Sequence, residues 1–350
     1  MRQYPIGIAC LTAALLAAAI SLALPAQPMA AWTTPSSNQA PALAEAAAGL
    51  SAGEADKALA LLQSLPASGP DAAQAHNLLC RVRFTLEQFE AAVTECEQAV
   101  SLNGQNSNYH LWLGRALGER AARASFLTAF GLAKRTRSEF EEAVRLDPRN
   151  VEALTSLGEF YRQAPGIVGG GTDKAQEIAS QLDKVDPASA HELRGKIAEQ
   201  QKNYTLAEGE YKQDIAANPH PAFGWNALGG FYLRRQRYAE MESAMHNVVS
   251  TALHDRRAAV VLYDAAGQLI EAKRDPALAA NLLDDYLSGP SKTEEAPAFI
   301  AHLRLARLKQ QLGDPAAAAR ERAAALALAH DYKPTQDFPP PDATPQQARY

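Results

Sequence analysis

Residues 225–232 read Trp-Asn-Ala-Leu-Gly-Gly-Phe-Tyr, and Tyr238 follows six residues later. Trp225, Leu228, Gly229 and Tyr232 are separated by three, one and three residues, which places them on one stripe of a helix. After residue 42, apolar residues recur every three or four positions almost throughout, and no stretch alternates with the two-residue period of a half-buried strand. The pattern predicts a nearly all-helical chain.

The positions of this stretch recur along the chain at an interval of 34 residues. His76 and His110 are 34 residues apart, and His191 precedes Trp225 by the same interval. Leu-Gly pairs recur at 113–114, 157–158 and 228–229, and small residues fill a slot of the second helix at Ala92, Ala175, Ala207 and Ala318. Because Pro cannot continue a helix, three pairs are expected to separate units: Asp147-Pro148, Asp186-Pro187 and Asn218-Pro219. The interval predicts a repeated helix-turn-helix unit.

These spacings resemble the tetratricopeptide repeat family, whose pattern W-x-x-L-G-x-x-Y is matched at every position by residues 225–232. The resemblance implies an all-α fold, a right-handed superhelical solenoid of antiparallel helix pairs, with about seven or eight units over residues 42–330. Such an array is expected to be one elongated spiral whose inner face, lined by the first helix of every unit, is an extended groove. Two units are stretched: we interpret extra residues around Arg123–Leu132 as a helix extension and Ala164–Gly171 as a loop.

The first residues predict an export signal. One cation, Arg2, precedes an uncharged apolar run from Ile6 to Leu24, and Pro25 and small residues follow. We expect a signal over residues 1–26, or as far as residue 31, and hence an exported, periplasmic bacterial protein. An uncleaved signal would instead anchor the chain in the inner membrane, facing the periplasm. Composition predicts disorder for a polar linker, residues 32–41, and a Pro-rich tail, residues 331–350.

Cys80 and Cys96 are the cysteines that remain once a signal containing Cys10 is removed. An even number of cysteines in an oxidising compartment favours a disulfide, and a separation of 16 residues would place the pair on two antiparallel helices of one unit. The alternative is that both are small, buried packing residues.

The charge balance bears on the class of partner. The 350 residues include 34 basic and 39 acidic side chains, a net charge of −5. This balance predicts no general attraction to phosphate backbones or anionic lipid. We therefore expect no nucleic acid partner, and membrane contact only through an uncleaved signal.

Motifs of catalysis are incomplete in this sequence. Gly166 and Gly171 have the spacing of a phosphate-binding loop, but Thr172 and Asp173 stand where Lys and then Ser or Thr are needed. Four histidines share one slot of the repeat, so we expect packed aromatic substitutes in different units and not ligands of one metal ion: His76, His110, His191 and His302. We expect no enzyme activity, no cofactor and no metal. The less favoured alternative is an enzyme or nucleotide site at the Gly-rich loop, with Gly166, Gly169, Gly170 and Gly171.

The outward slots of the first helices supply candidate groove residues: Asn77, Arg81, Asn108, Arg115, Arg162, Asn226 and Arg234. Arg81 and Arg115 are 34 residues apart, so we expect them to stack on adjacent units, and paired guanidinium groups suit a carboxylate. The resemblance adds that some tetratricopeptide proteins hold the terminal acid of chaperone tails with Lys, Asn and Arg in such slots. Here Thr155 and Glu159 depart from that pattern.

The sequence thus predicts a non-enzymatic scaffold that binds a peptide or protein segment in its groove. The alternative is a structural subunit that self-associates into a homo-oligomer. Its support is the Ala-rich last helix, Pro315–His330, which no further helix is expected to cover.

Overall fold

The computed structural model describes residues 39–66, 68–252 and 255–338, and within them the chain folds into seventeen α-helices and no strand. The first sixteen helices pair as eight hairpins. Hairpins 1 to 4 are α1 (Ala40–Ala52) with α2 (Ala55–Gln63), α3 (Ala72–Thr85) with α4 (Phe89–Leu102), α5 (Ser107–Arg123) with α6 (Phe126–Leu146), and α7 (Val151–Gln163) with α8 (Thr172–Leu182). Hairpins 5 to 8 are α9 (Pro187–Gln200) with α10 (Tyr204–Ala217), α11 (Pro221–Arg234) with α12 (Tyr238–Ala252), α13 (Ala259–Ala272) with α14 (Pro276–Ser288), and α15 (Ala298–Gln311) with α16 (Pro315–Leu328). The predicted all-α solenoid of helix pairs is confirmed.

All described helices belong to one compact unit, Ser37–Tyr350. The predicted signal over residues 1–26, with its later boundary at 31, lies outside the described residues, and so do positions 32–38 of the predicted linker. Helix α1 already begins at Ala40, two residues before the predicted start of the array.

Local sequence sets the helix starts. Side chains of Asn150, Asp186 and Asp314 precede α7, α9 and α16, and each accepts an N–H bond from the residue three positions later. Pro187 occupies the first position of α9, where its missing N–H is not needed. The Asp186-Pro187 pair therefore begins a helix, while the preceding helix α8 already ends at Leu182.

Hairpins 3 and 5 cross where a glycine of the first helix faces a larger side chain of the second. In hairpin 3, a Cβ on Gly114 would lie 2.5 Å from the Phe140 ring, and in hairpin 5 a Cβ on Gly195 would lie 3.0 Å from the Tyr211 ring. Such distances are shorter than ordinary van der Waals contact, so the absence of a side chain allows the two helices to approach this closely.

The repeated histidines join the two helices of their hairpins. Their Nδ1 atoms lie 2.6–2.8 Å from glutamate oxygens in four pairs: His76 with Glu95, His110 with Glu139, His191 with Glu210, and His302 with Glu321. A carboxylate accepts, so Nδ1 donates in each pair. The glutamate follows the histidine by 19 residues in three pairs and by 29 in hairpin 3. Hairpin 3 therefore keeps the same hydrogen bond around an insertion of ten residues.

The insertion lengthens the helices of hairpin 3. Helix α6 has 21 residues and α5 has 17, whereas α3 and α4 of hairpin 2 have 14 each. Extra residues around Arg123–Leu132 thus extend both helices, as predicted, apart from a break at Ala124 and Ser125. The segment Ala164–Gly171 is a loop with one 3-10 turn, Gly166–Val168.

The two ends of the array contact each other. One buried apolar cluster contains Leu43 and Leu50 of α1, Phe299 and Leu303 of α15, and Tyr332. A side chain on Gly53, in the turn of hairpin 1, would overlap the backbone of Ala298. The expectation of one elongated spiral is therefore wrong for the described unit. Its eight hairpins close on themselves because the apolar faces of the first and last helices bury each other.

The predicted disordered tail is ordered in its first part. Tyr332 is buried, its ring packs on Phe299 with centroids 4.9 Å apart, and its hydroxyl donates to Glu87 at 2.8 Å. A short helix, α17 (Lys333–Gln336), then packs on α16. The prediction that order ends at residue 330, with nothing covering the last helix, is wrong for residues 331–338. Residues 339–350 lie outside the described part of the chain.

Candidate functional site

The inner face of hairpins 2 to 4 encloses a cleft of about 920 Å³. Its walls come from the first helices α3, α5 and α7 and from the facing side of α6. Two connecting segments complete it: one contains Pro165 and Val168, and the other contains Glu294, Glu295 and Pro297. The cleft thus combines regular repeat positions with segments outside the repeat.

Trp112 brings the two predicted arginines together. The guanidinium carbon of Arg81 lies 5.3 Å from the centroid of the Trp112 ring, and that of Arg115 lies 4.7 Å from it. Both distances are within the range of cation–π attraction. Arg115 also pairs with Glu152 at 2.9 Å, but the Glu152 side chain is 61% exposed, so this contact is weakly held.

Arg81 is already bound to a carboxylate of its own chain. Its Nε and Nη2 donate to the two oxygens of Glu294 at 3.0 and 2.8 Å, a bidentate pair between residues 213 apart. The Glu294 side chain is only 10% exposed. Burial raises the pKa of Glu294, and the Arg81 guanidinium opposes that rise. The forked donors of Arg81, which were expected to face a ligand, are therefore taken up by Glu294 of the same chain.

Glu294 is presented by the strap, which we define as residues 289–297 between α14 and α15. The buried hydroxyl of Tyr286 donates to the carbonyl of Ala296 at 2.6 Å and accepts from the N–H of Thr293 at 3.2 Å. These two bonds flank Glu294 in sequence, so they fix the strap on both sides of the carboxylate that reaches Arg81.

The other predicted groove residues are dispersed. Asn77, one helical turn from Arg81, is buried, and its Nδ2 has no hydrogen-bond partner among the described residues. Asn108 accepts from Asn150. Arg162 donates to Glu159 beside the cleft. Farther along the array, Asn226 accepts from Gln268, and Arg234 donates to Glu199. Arg115 therefore lines the cleft, and Arg81 lies behind the lining, in contact with Trp112 and Glu294. Asn226 and Arg234 lie outside the lining.

The cleft lining also contains a carboxylate, Glu159 of α7. Burial raises the pKa of Glu159, but Lys196, Gln163 and Arg162 outweigh that effect and bring the pKa down to about 2. The Lys196 Nζ lies 2.7 Å from Glu159. Glu159 is thus ionised, and the nearby Lys196 compensates its charge. The carboxylate that pairs with Arg115, Glu152, is more exposed than Glu159.

The Gly-rich loop does not offer its amides to an anion. N–H groups of residues 168–171 all donate to backbone carbonyls of the same region, those of Pro165, Gly166 and Tyr161. The nearby cations meet carbonyls: Arg137 donates to Val168 at 3.3 Å and Lys174 to Gly169 at 3.0 Å. Gly170 has no space for a side chain, since a Cβ there would overlap Ala164. Gly166, Gly169, Gly170 and Gly171 therefore form a tightly folded connection and not a phosphate cradle.

The sulfur atoms of Cys80 and Cys96 lie 2.00 Å apart, at disulfide distance, and join α3 to α4. Both cysteines are fully buried.

In the described part of the chain, no three His, Cys, Asp or Glu side chains are grouped to hold a metal ion. None of the described helices has the length and apolar character needed to cross a membrane.

Sequence reasoning missed Trp112 and Glu294. Trp112 lies outside the 34-residue slot that His110 occupies, and Glu294 lies in a connection that the repeat does not constrain. The available signal for the strap was the acidic pair Glu294-Glu295 between two predicted units.

The chain is similar to several known proteins. It is 25% identical to Superkiller complex protein 3 of Mus musculus in an alignment that covers 54% of this chain and 14% of that protein. The chain thus spans about one seventh of that curated relative. No protein-family model matches the chain.

Among solved structures, the chain is similar to tetratricopeptide repeat proteins. A thermophilic one from Thermus thermophilus has 23% identity and a TM-score of 0.41, covering 57% of this chain and 100% of that chain. Another, from Parabacteroides merdae, has 13% identity and a TM-score of 0.45, covering 85% and 98%. The Cut9-Hcn1 hetero-tetramer of APC/C has 12% identity and a TM-score of 0.37, covering 86% and 62%.

Proposed function

We propose that this chain is a non-enzymatic scaffold whose cleft, on the inner face of hairpins 2 to 4, docks a protein segment carrying a carboxylate. The observation that carries this proposal is the arrangement of Arg81, Arg115 and Trp112, in which two guanidinium groups flank one aromatic ring. Such a surface offers forked donors for an acidic group and an apolar face for its neighbour in the ligand.

Glu294 supports the acidic character of the ligand. A carboxylate of the chain itself already occupies Arg81 in bidentate geometry, which supports an acidic ligand at this surface. The ion-pair partner of Arg115, Glu152, is exposed, so an incoming carboxylate displaces a weak contact to reach this arginine. The buried amide of Asn77, one turn from Arg81, adds a donor that no described residue uses. A ligand that reaches Arg81 competes with the strap.

The test is selection of peptides from a random library on the purified chain, followed by affinity measurement for the selected peptides. We expect these peptides to be rich in Asp, Glu or a free terminal carboxylate. Arg115→Glu is expected to weaken their binding by about tenfold or more, because reversing a charge beside a carboxylate replaces attraction by repulsion.

Arg149→Glu is the matched control, since Arg149 is an exposed arginine outside the cleft lining. It makes the same change in net charge and should leave affinity unchanged. Peptides without acidic groups, or equal loss of binding in both variants, would contradict the proposal. Arg81→Glu is unsuitable as the primary variant because it would also place two carboxylates together at Glu294.

The scaffold is further proposed to act after export, in the periplasm, from the leading sequence alone: Arg2 and the apolar run Ile6–Leu24. Fractionation of the native host and amino-terminal sequencing of the recovered chain test this. A chain that starts near residue 27 and leaves the cells with the periplasmic fraction is expected. Full-length chain in the cytoplasmic fraction would contradict export and would leave the cleft proposal standing.

Self-association was expected from an uncovered last helix, and α17 and hairpin 1 cover part of that helix. Nucleotide binding at the Gly-rich loop loses support, because the N–H groups of residues 168–171 already donate to backbone carbonyls.

A further inference from the structure

The apex of hairpin 3, which we define as residues 122–131, projects from the array. Helix α6 is seven residues longer than α4, a difference of about 10 Å in helix length. No residue of the apex is buried. Phe126 and Leu127, side by side at the start of α6, are 78% and 83% exposed, the highest values among large apolar side chains in the described residues. Folding of the described chain gives these two side chains no apolar partner to cover them, which is typical of an interaction surface.

Positive charge is concentrated around this apex. Residues 120–137 contain five basic side chains and no acidic one: Arg120, Arg123, Lys134, Arg135 and Arg137. The chain as a whole has more acidic than basic residues, so this stretch departs from its average. Arg123 and Arg137 pair with Glu119 and Glu141 one turn away on their own helices, and Arg135 pairs with Glu97 of α4. Lys134 stacks on the ring of Phe130 at 4.4 Å. The stretch combines exposed apolar side chains with flanking cations.

We propose that the apex of hairpin 3 binds an anionic lipid surface, with Phe126 and Leu127 inserted among the acyl chains and the flanking cations on the headgroups. Large apolar side chains beside Lys and Arg match the two layers of such a surface, apolar inside and anionic outside. Binding is peripheral, since a two-residue insertion does not span a bilayer. The net charge of −5 led us to expect no attraction to anionic lipid; the local sequence of the apex supports the opposite for this one surface.

The cleft and the apex are independent in this proposal. Ala122 and Arg123, at the end of α5, line the cleft, but Phe126 and Leu127 do not. Loss of lipid binding therefore leaves peptide binding in place, and loss of peptide binding leaves lipid binding in place.

The experiment uses residues 37–350, which retain every described helix and omit the leading apolar run. Sedimentation measures binding to vesicles of phosphatidylcholine alone and to vesicles that also contain phosphatidylglycerol. The anionic vesicles are expected to bind the chain, and added salt to weaken that binding. Phe126→Ser with Leu127→Ser should reduce it by about tenfold or more, since both apolar side chains lose their site in the membrane.

Leu206→Ser with Leu312→Ser is the matched control, because these leucines are also exposed, at 48% and 46%, and lie in other hairpins. For charge, Arg120→Glu with Lys134→Glu should weaken binding by at least about fivefold per site, whereas Lys184→Glu with Arg256→Glu, at two exposed cations elsewhere, should not. Circular dichroism checks that all variants are folded.

Failure of the unaltered chain to bind anionic vesicles would overturn the proposal. Equal binding by the Phe126, Leu127 variant would also overturn it. Light scattering gives the other decisive outcome: a dimer that the same double variant abolishes, without vesicle binding, would assign the apex to a second copy of the chain.

Discussion

Hairpins 2 and 3 place different residues at the same crossing point. Four residues after the slot histidine stands Cys80 in hairpin 2 and Gly114 in hairpin 3. Directly after the partner glutamate stands Cys96 in one hairpin and Phe140 in the other. The crossing is closed by paired sulfurs in hairpin 2 and by a ring against bare backbone in hairpin 3.

The difference shows which positions determine the fold. Both hairpins keep the histidine–glutamate bond, at 2.7 Å and 2.6 Å, although hairpin 3 has ten more residues between its two members. The positions at the crossing can therefore hold either a disulfide or a glycine packed against a ring. The inserted residues lie beyond the crossing. Residues 122–131 are free of the constraints of the repeat and carry the exposed apolar apex.

Hairpin 2 should depend on its covalent crossing. Reduction of the Cys80–Cys96 pair is expected to lower the free energy of unfolding by about 3 kcal/mol, because a closed loop of this length restricts the unfolded chain. Urea unfolding with and without reductant measures the difference. The variant Cys80→Ala with Cys96→Ala serves as control, since reductant should not change its stability. Two titratable thiols in unfolded, unreduced protein would show that the crossing is not covalent.

The stability of hairpin 3 should depend on the absence of a side chain at Gly114. Gly114→Ala is expected to destabilise the fold by about 2 kcal/mol, since the new Cβ would stand 2.5 Å from the Phe140 ring. Gly118, one turn later on α5, is the matched control: a Cβ there would lie 3.6 Å from Thr136. Gly118→Ala should therefore be neutral or stabilising, as Ala favours a helix over Gly by up to about 1 kcal/mol. Thermal unfolding of both variants checks this. Equal changes in stability would show that Gly114 is not in close contact with Phe140.

A third position extends the comparison to hairpin 5. Four residues after the partner glutamate, hairpins 2, 3 and 8 have the buried alanines Ala99, Ala143 and Ala325, whereas hairpin 5 has Asp214. Burial, and then the neighbouring charge of Glu192, raise the pKa of Asp214 to about 7.

Between its unfolded pKa and about pH 7, native Asp214 holds a proton that the unfolded chain has lost, so stability falls as pH rises, by up to about 1.4 kcal/mol per pH unit. Asp214→Ala should remove this dependence and stabilise the fold at pH 8. Urea unfolding at pH 5 and pH 8 measures it. A variant with the pH dependence of the original chain would show that Asp214 is not the group responsible.

The fold was predictable because its determinants are local and repeated. The helix spacing, the Leu-Gly pairs and the histidine slot are all visible within one unit. The glutamate partners of the repeated histidines were not predicted. Each of these histidines has a glutamate 19 or 29 residues later, a spacing that is visible in the sequence. The expected meeting of Arg81 and Arg115 also followed from the period.

Contacts outside the repeat were not predictable in this way. The Arg81–Glu294 pair joins residues 213 apart, and no periodicity relates a strap between helices to the helix that it reaches. Closure of hairpin 8 on hairpin 1 depends on the sum of small rotations over eight units. That sum is set by the packing of every interface, which sequence spacing alone does not define.

The smallest expected effect tests the bond that hairpins 2 and 3 share. His110 contacts two acceptors, Glu139 at Nδ1 and the Gly104 carbonyl at Nε2, so both ring nitrogens carry protons when both bonds form. The bond to Glu139 accordingly raises the pKa of His110 above its usual value, against the opposing effect of burial. This stabilisation is complete below the unfolded pKa of about 6.5 and is lost as pH rises through the native pKa.

Glu139→Gln keeps a hydrogen-bond acceptor but removes the charge, and it should destabilise the fold by about 1 kcal/mol at pH 6 and by less at pH 9. Glu95→Gln is the counterpart in hairpin 2, and Glu90→Gln, at an exposed position of α4, is the control that should have no effect. Urea unfolding at the two pH values measures all three variants. If Glu139→Gln were silent while Glu95→Gln destabilised the fold, the inserted residues would have released hairpin 3 from the bond that the regular hairpin needs. Similar losses in both would show that ten residues can be added beyond the crossing without weakening it.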